Sequence, residues 1–383
     1  MKNTVIIIMF MSSLLSCEGG INSSDQSSRM DWPLFRGNAA LNGYTDVRLP
    51  SNPELLWTFK TNKRTVSSPT VLNGTVFWCD RFGLIRGVDL NGELTFEYDL
   101  KTAVEATPMI YDSVLYIGRI DGRMTAISLT ERDTIWNYET LGQISASPNL
   151  MTFANRQSIV FGSYDNHLYC VDAKTGEELN SFESGYYLNG AAALWKDHVI
   201  FGGCDSWVRI INCRTGIQTD SLLLDAYIPA SPAIIGNYCY IGDYSGNIYE
   251  ILLEDGKFIR NKKIVDATDE GGTFVSVPAV SSENFFFLSS DRHINMINRK
   301  NGELTWKYML KGDVGESSPL IAGDKVIVCT KTGIISILDV KDGKLLWEYD
   351  AGEQIIGSPA VIHNHFFVLT SRGTLLCFGE ANK

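Results

Sequence analysis

Short apolar runs separated by polar, glycine-containing breaks follow one another along almost the whole chain. In the clearest stretch the runs are residues 318–321, 325–328, 334–338 and 345–347. The breaks between them contain Gly323, Gly333 and Gly343. Runs this short, rich in Val, Ile and Leu and bounded by Gly or Asx-Gly pairs, are typical of β-strands joined by tight turns, since Gly accepts the positive φ that such turns need. The pattern predicts a repeated four-stranded antiparallel unit.

A Ser-Pro pair, or a close variant of it, opens each unit and returns about every forty residues. The copies are Ser68-Pro69, Thr107-Pro108, Ser147-Pro148, Ser231-Pro232, Val277-Pro278, Ser318-Pro319 and Ser358-Pro359. Residues 190–193, Gly-Ala-Ala-Ala, stand where an eighth copy is expected. Units of this length cannot bury their apolar faces alone and stack as the blades of a β-propeller. We therefore predict an all-β propeller of eight four-stranded antiparallel blades over residues 31–383.

The last unit lacks a fourth strand, and a matching strand lies near the start of the chain. Residues 54–59 read Glu-Leu-Leu-Trp-Thr-Phe, which closely matches Lys-Leu-Leu-Trp-Glu-Tyr at 344–349, yet they precede the first Ser-Pro pair. Pairing this N-terminal strand with the last blade would close the ring and remove exposed sheet edges that invite aggregation.

The N-terminus predicts export and a lipid anchor. Lys2 precedes a short apolar run, and residues 14–17, Leu-Leu-Ser-Cys, resemble the lipobox at which bacterial lipoproteins are cleaved and acylated. We expect residues 1–16 to be a signal peptide, Cys17 to carry the lipid and residues 17–30 to be a polar tether. The alternative is an ordinary secretory signal. The expected location is the bacterial cell envelope, at the outer membrane and facing the periplasm.

Charge and cysteine usage exclude several classes of function. The chain has 33 basic and 44 acidic residues, a net charge of −11, so nucleic acid is not an expected partner and the membrane should be reached only through the N-terminal lipid. The cysteines other than Cys17 lie mostly in apolar strand runs, where they read as small buried hydrophobes. No CxxC pair is present, which argues against a zinc or thioredoxin-like site.

Three segments resemble the pyrroloquinoline-quinone-like (PQQ-like) β-propeller family. Residues 171–177 and 343–347 resemble halves of its repeat consensus, and residues 31–38, Asp-Trp-Pro-Leu-Phe-Arg-Gly-Asn, resemble its leader. The resemblance implies the propeller fold. The family contains both quinoprotein dehydrogenases and non-enzymatic envelope scaffolds, so it leaves the function open.

The chain departs from the dehydrogenases of this family in three respects. It has no adjacent Cys-Cys pair, its blades are short, and no Glu, Asn and Asp group for their calcium ion can be placed. The pair His363 and His365 reads as a surface turn, because a zinc site needs further ligands. We therefore predict no catalytic, cofactor-binding or metal-binding residues, and a monomeric, non-catalytic scaffold for other envelope proteins. The alternatives are a quinone-dependent oxidoreductase or cofactor-binding protein, and a glycan-binding lipoprotein.

An aromatic column in the fourth strands is interrupted on one side of the predicted ring. The aromatic residues of the column are Trp57, Phe96, Trp136, Trp306 and Trp347. Blades three to five carry Asn180, Asp220 and Arg260 at this position. Loss of the aromatic residue is either repeat degeneration or a local specialisation.

The loops that enter blades four, five and six are aromatic. They contain Tyr186 and Tyr187, Tyr227, and Phe274, and all connect a fourth strand to the next first strand, so they emerge on one face of the disc. Neighbouring aromatic residues on one face predict a partner-binding patch. The competing interpretation is that they fill the top of the central channel as core.

Overall fold

The computed structural model describes residues 31–153, 156–266 and 276–381. The regular elements in these ranges are all β-strands, and no helix there is long and apolar enough to cross a bilayer. The predictions for Cys17, for residues 1–16 and 17–30, and for Phe274 lie outside the described residues.

Two strands precede the repeats, and four blades follow. The first strands are β1 (Tyr44–Thr45) and β2 (Glu54–Lys60). Blades 1 and 2 contain β3 (Thr70–Leu72), β4 (Thr75–Cys79), β5 (Leu84–Asp89), β6 (Leu94–Asp99), β7 (Met109–Tyr111), β8 (Val114–Gly118), β9 (Arg123–Ser128) and β10 (Asp133–Glu139). Blades 3 and 4 contain β11 (Asn149–Phe153), β12 (Arg156–Gly162), β13 (His167–Asp172), β14 (Glu178–Glu183), β15 (Ala193–Trp195), β16 (His198–Gly202), β17 (Trp207–Asn212) and β18 (Ile217–Leu223).

The remaining four blades complete the ring. Blades 5 and 6 contain β19 (Ala233–Ile235), β20 (Tyr238–Gly242), β21 (Ile248–Glu254), β22 (Lys257–Val265), β23 (Ala279–Val280), β24 (Asn284–Ser289), β25 (His293–Asn298) and β26 (Leu304–Met309). Blades 7 and 8 contain β27 (Leu320–Ala322), β28 (Lys325–Cys329), β29 (Ile334–Asp339), β30 (Leu345–Asp350), β31 (Ala360–Ile362), β32 (His365–Leu369) and β33 (Thr374–Gly379). The strands form eight sheets, and the innermost strands of neighbouring blades contact one another. The predicted eight-bladed propeller is confirmed.

The N-terminal strand closes the ring as predicted. β2 pairs antiparallel with β33, so that Trp57 lies opposite Cys377. Its register shifts between Leu55 and Trp57, and the fourth strand of every other blade carries a bulge at the same place. β2 is therefore the fourth strand of blade 8 in local geometry as well as in pairing.

The segment before β2, residues 31–45, runs around one end of the central channel. Its backbone carbonyls accept hydrogen bonds from the innermost strands of several blades. The donors are the N–H groups of Val71, Ile110, Leu194, Ile234, Val280 and Ile321. β1 adds a short parallel pairing with β27, which the repeat pattern does not predict. The leader thus fastens six blades to one another and fills the channel at that end.

The Ser-Pro motif forms a ring of hydrogen bonds between blades. The N–H group at the serine position of one blade donates to the side-chain hydroxyl at the same position of the next blade. These bonds run from Ser68 to Thr107 (2.9 Å), Thr107 to Ser147 (3.1 Å), Ala191 to Ser231 (2.8 Å), Val277 to Ser318 (2.9 Å), Ser318 to Ser358 (3.0 Å) and Ser358 to Ser68 (2.9 Å). Ala191 and Val277 interrupt the ring because they carry no hydroxyl.

Three of the fourth-strand tryptophans link their blade to the next one by a hydrogen bond. The indole Nε1–H of Trp57 donates to the carbonyl of Leu90 at 2.7 Å, across the ring closure. Trp136 and Trp306 make the same bond to the following blade, each at 3.0 Å. The indoles therefore join blades by a hydrogen bond as well as by their packed surface.

The cysteines of the blades are structural. All seven in the described ranges are free, and six of them are buried. Burial raises the pKa of the Cys329 and Cys377 thiols to about 12. These side chains remain protonated at neutral pH and pack as small hydrophobes, as predicted.

Candidate functional site

One face of the disc is built from two kinds of connection, the loops that enter each blade and the turns between second and third strands. In blade 5 the N–H group of Tyr244, in the turn, donates to the carbonyl of Tyr227, in the loop, at 2.9 Å. In blade 4 Cys204 makes the same bond to Tyr187 at 3.3 Å. Because each loop is bonded to a turn at the end of a sheet, its side chains are held in place on a rigid scaffold.

Five tyrosines on this face form a tyrosine patch, defined as Tyr164, Tyr186, Tyr187, Tyr227 and Tyr244. The rings of Tyr227 and Tyr244 stack with centroids 4.2 Å apart. Those of Tyr164 and Tyr187 stack at 5.3 Å, and Tyr186 lies 4.5 Å from Tyr187. Tyr186, Tyr187 and Tyr227 are 48%, 42% and 37% exposed, so these rings lie at the surface rather than in the channel core.

Aliphatic residues next to the tyrosines anchor the loops. Leu188 follows Tyr187 and is 1% exposed, and Ile228 follows Tyr227 and is fully buried. Leu188 lies so close to Gly162 that a Cβ added to the glycine would come within 2.6 Å of it. The loops therefore turn one aliphatic side chain inward and the adjacent aromatic side chain outward.

Two members of the patch were not identified from the sequence. Tyr164 and Tyr244 lie in the turns after β12 and β20, two residues beyond Gly162 and Gly242. The Tyr164 hydroxyl donates to Asn189 Oδ1 at 2.7 Å, which ties the turn to the next loop. The signal that could have found them was the equivalence of these turns in the repeat, together with their shared Tyr.

The Tyr227 hydroxyl stays protonated at neutral pH. Desolvation, the hydrogen bond with Tyr244 and its charge raise the pKa of Tyr227 to about 12. Beneath the neighbouring turn, Arg209 grips both carboxylate oxygens of Asp205, at 3.0 and 2.5 Å. Burial alone would raise the pKa of Asp205, but the Arg209 hydrogen bond and charge outweigh it and lower that pKa. The patch thus offers aromatic surface and hydroxyl groups, with the nearby ion pair neutralised.

The mouth of the central channel opens on the same face. This cavity of about 320 Å³ has Phe35 among its lining residues, and the Ser and Thr residues of the Ser-Pro motifs line its wall. Two carboxylates, Glu105 and Glu316, lie in the lining, and Glu105 is already paired with Arg81.

The channel mouth does not fit a quinone held with calcium. Its hydroxyls are engaged in the bonds between blades, and its carboxylates are two in number. In the described ranges no three His, Cys, Asp or Glu side chains converge as metal ligands would. His363 lies exposed in the turn before β32, with a φ of 50°, as predicted. The prediction was wrong for His365, which is the first residue of β32 and is half-buried.

Known proteins match this chain in both sequence and fold. The family described as outer membrane protein assembly factor BamB matches residues 47–195 and 205–383. BamB of Legionella pneumophila (strain Paris) is 28% identical over 169 residues, 44% of this chain and 41% of that protein. Quinohemoprotein alcohol dehydrogenase ADH IIB of Pseudomonas putida is 24% identical over 183 residues, 42% of this chain and 26% of that protein. The chain thus spans less than half the length of these two relatives.

Solved structures share the architecture at low sequence identity. BamB from Moraxella catarrhalis has a TM-score of 0.69 at 16% identity and covers 86% of this chain and 98% of its own. A europium-containing methanol dehydrogenase has a TM-score of 0.78 at 12% identity, covering 92% and 98%. At such identities these structures establish the fold alone. The family match extends over strands of all eight blades, and on that ground this protein belongs to the outer membrane protein assembly factor BamB family of PQQ-like β-propellers.

Proposed function

We propose that the protein is a lipid-anchored, non-catalytic scaffold of the bacterial envelope that binds other envelope proteins through the tyrosine patch. The observation that carries the proposal is the presence of two groups of tyrosines in ring contact, Tyr164 with Tyr186 and Tyr187, and Tyr227 with Tyr244, on one face of a rigid ring. Aromatic side chains supply large contact area at low entropic cost and dominate protein interfaces. Family membership supports the same role.

The test is to remove the aromatic surface without disturbing its supports. Tyr186, Tyr187 and Tyr227 are replaced together by Ser, while the buried Leu188 and Ile228 are left in place. In-cell cross-linking of the tagged protein followed by mass spectrometry should show loss of its partners. Because truncating a central anchor costs above about 1 kcal/mol of binding, three truncations should weaken a purified complex by at least about tenfold.

A matched control uses apolar residues of similar exposure on the opposite face. Leu94 and Leu304 are 48% and 53% exposed and lie where the fourth strands of blades 1 and 6 begin. Their double replacement by Ser should retain every partner. If the tyrosine variant keeps its partners, or if the control loses them equally, the patch is not the binding surface.

The anchor is proposed from the lipobox-like residues 14–17. Cys17→Ala should abolish acylation and leave unprocessed precursor, which metabolic labelling with a clickable fatty acid detects. A wild-type protein recovered in soluble form, with its N-terminus beyond Cys17, would contradict the anchor. The binding role of the patch would be unaffected by that result.

The two rival functions give distinct results. A quinone-dependent enzyme should bind pyrroloquinoline quinone saturably in the presence of calcium and oxidise alcohols with a dye as acceptor, and we expect neither. A glycan-binding protein should show sugar-dependent quenching of tryptophan fluorescence that the triple tyrosine variant loses. Either positive result would replace the scaffold proposal.

A further inference from the structure

Blade 5 carries an arginine where the repeat places its tryptophan. In the fourth strand, the residue just after the bulge is Trp306 in blade 6 and Trp347 in blade 7, facing Met296 and Ile337. Arg260 occupies the same position in blade 5, opposite Leu252. The equivalence therefore rests on strand register and not only on sequence spacing.

The space that an indole would fill is open between blades 5 and 6. The turn glycines Gly92, Gly176 and Gly343 lie against the indole of the preceding blade, so that an added Cβ would come within 3.0, 2.6 and 2.5 Å of a ring atom. At the equivalent Gly302, the atom that an added Cβ would approach is Lys262 Nζ, at 3.5 Å. Among the described residues that are not its neighbours in the chain, no other atom lies within 4 Å of that Cβ. A cleft of about 650 Å³ lies there, within the size range of small-molecule sites.

One wall of the cleft is aromatic and is capped by a fixed guanidinium. Arg299 lies over the rings of Tyr238 and Tyr240, 5.5 and 5.4 Å from their centroids. Its Nε donates to the Tyr240 hydroxyl at 2.8 Å, and its Nη1 donates to the carbonyls of Ser281 and Ser282. The Tyr240 hydroxyl in turn donates to Glu250 at 2.6 Å. This wall is ordered by a complete hydrogen-bond chain.

The lining is cationic although the protein is acidic. Four basic side chains line the cleft, Arg260, Lys262, Arg299 and Lys300, against the single carboxylate of Glu250. Glu250 already accepts the Tyr240 hydroxyl, and Lys300 is paired with Glu283. Within the described ranges, the side chains of Arg260 and Lys262 make neither an ion pair nor a hydrogen bond, although their backbones pair with β21. Two unpaired cations at the mouth of an aromatic cleft favour an anionic ligand.

The other two blades that lost the tryptophan show a different outcome. Asn180 donates to the carbonyl of Cys213 at 2.6 Å, which replaces the indole bond to the next blade. Asp220 accepts from the N–H of Phe258 at 2.9 Å, again across the blade boundary. Arg260 has no such structural bond, so its substitution is not explained by linkage between blades.

We propose that the cleft between blades 5 and 6 binds a small planar organic anion. The ring of the ligand takes the space of the missing indole over Gly302, and its acid group lies between Arg260 and Lys262. This site is separate from the tyrosine patch and does not depend on the scaffold function.

The test uses indole-3-acetate, which combines an indole with a carboxylate, and its neutral counterpart indole-3-acetamide. Isothermal titration of the purified protein should give saturable 1:1 binding of the acetate that weakens as salt is raised. The acetamide should bind at least about tenfold more weakly, because it loses the charge pairing. Absence of saturable acetate binding, or equal binding of the two compounds, would overturn the proposal.

Variants locate the binding in the cleft. Arg260→Trp restores the residue of the repeat, fills the cleft and should abolish binding. The matched control is Asn180→Trp, which makes the same restoration at the cavity of about 250 Å³ between blades 3 and 4 and should bind as wild type. Lys262 is exposed, so Lys262→Gln should leave the fold intact. This variant should weaken binding about tenfold. Unchanged affinity in Arg260→Trp or in Lys262→Gln would show that the acetate binds elsewhere.

Discussion

Arg36 is the most deeply buried charged side chain of the leader, at 2% exposure. Its Nη1 donates to the carbonyl of Pro319 at 2.5 Å and its Nη2 to that of Pro278 at 2.9 Å. Burial lowers its pKa to about 9, so the guanidinium remains protonated at neutral pH. These acceptors are the prolines of two successive repeat motifs. One side chain of the leader therefore supplies the hydrogen-bond donors for buried carbonyls at the inner ends of both blade 6 and blade 7.

We expect Arg36→Met to destabilise the protein by about 2 kcal/mol or more, because each buried carbonyl left without a donor costs about 1–3 kcal/mol. Urea unfolding followed by tryptophan fluorescence measures the change. Arg48→Met is the control, since Arg48 is an exposed arginine just after the leader whose loss should change the free energy of unfolding by less than about 0.5 kcal/mol. Equal stability of the two variants would show that Arg36 does not hold the leader in the ring.

At the scale of the element, the Ser-Pro motif is explained by the bond that joins one innermost strand to the next. A serine at this position donates its N–H to the hydroxyl of the next blade, and its own hydroxyl accepts the N–H of the preceding blade, as Ser318 does between Val277 and Ser358. Proline can follow this serine because no N–H donor is needed at the next position. The proline carbonyl remains free to accept a hydrogen bond, as the Pro319 carbonyl does from Arg36. The repeat of the motif is therefore explained by a contact between residues about forty apart in sequence, and by the Ser358–Ser68 bond that closes the ring.

Changing the ring of hydroxyls should change stability in both directions. Ser358→Ala removes the acceptor of the Ser318 N–H group, which is buried, and should cost about 1–3 kcal/mol. Ala191→Ser places a hydroxyl at the point where the ring is interrupted, next to Ser147, and should add about 1 kcal/mol. Thermal and urea unfolding of the two variants measure both effects. Destabilisation by Ala191→Ser would mean that the interruption is required by packing.

The repeat made the strands, the turns and the ring closure predictable from sequence. Strand periodicity and turn glycines are local signals, and the copy of the Trp347 strand at Trp57 could be recognised by comparison within the chain. The path of the leader, the parallel pairing of β1 and the inclusion of Tyr164 and Tyr244 in the patch depend on contacts between distant segments. The cleft beside Arg260 also depends on such contacts. The sequence shows that the Trp is missing, but only the positions of the neighbouring residues show whether its space is filled or open.

For the whole molecule, the N-terminal segment is a clasp with two parts. Residues 31–45 join the innermost strands of six blades at the channel, and β2 completes blade 8 at its outer edge. Trp347 of blade 7 packs on Phe366 and Phe378 of blade 8, with ring centroids 5.9 and 5.2 Å away. The closure therefore couples the last two blades to the first through β2 and Trp57.

Two deletions separate the parts of the clasp. Removing residues 31–60 exposes the edge of β33 and empties the channel, and we expect loss of cooperative melting and aggregation, because open strand edges pair with other chains. Removing residues 31–45 alone keeps β2 and should leave a monomeric ring with a lower melting temperature. A variant that begins at Asp31 retains both parts and should melt as wild type. Size-exclusion chromatography and circular dichroism melts distinguish these states. If the chain without residues 31–60 is monomeric and melts cooperatively at the wild-type temperature, the ring does not depend on N-terminal closure.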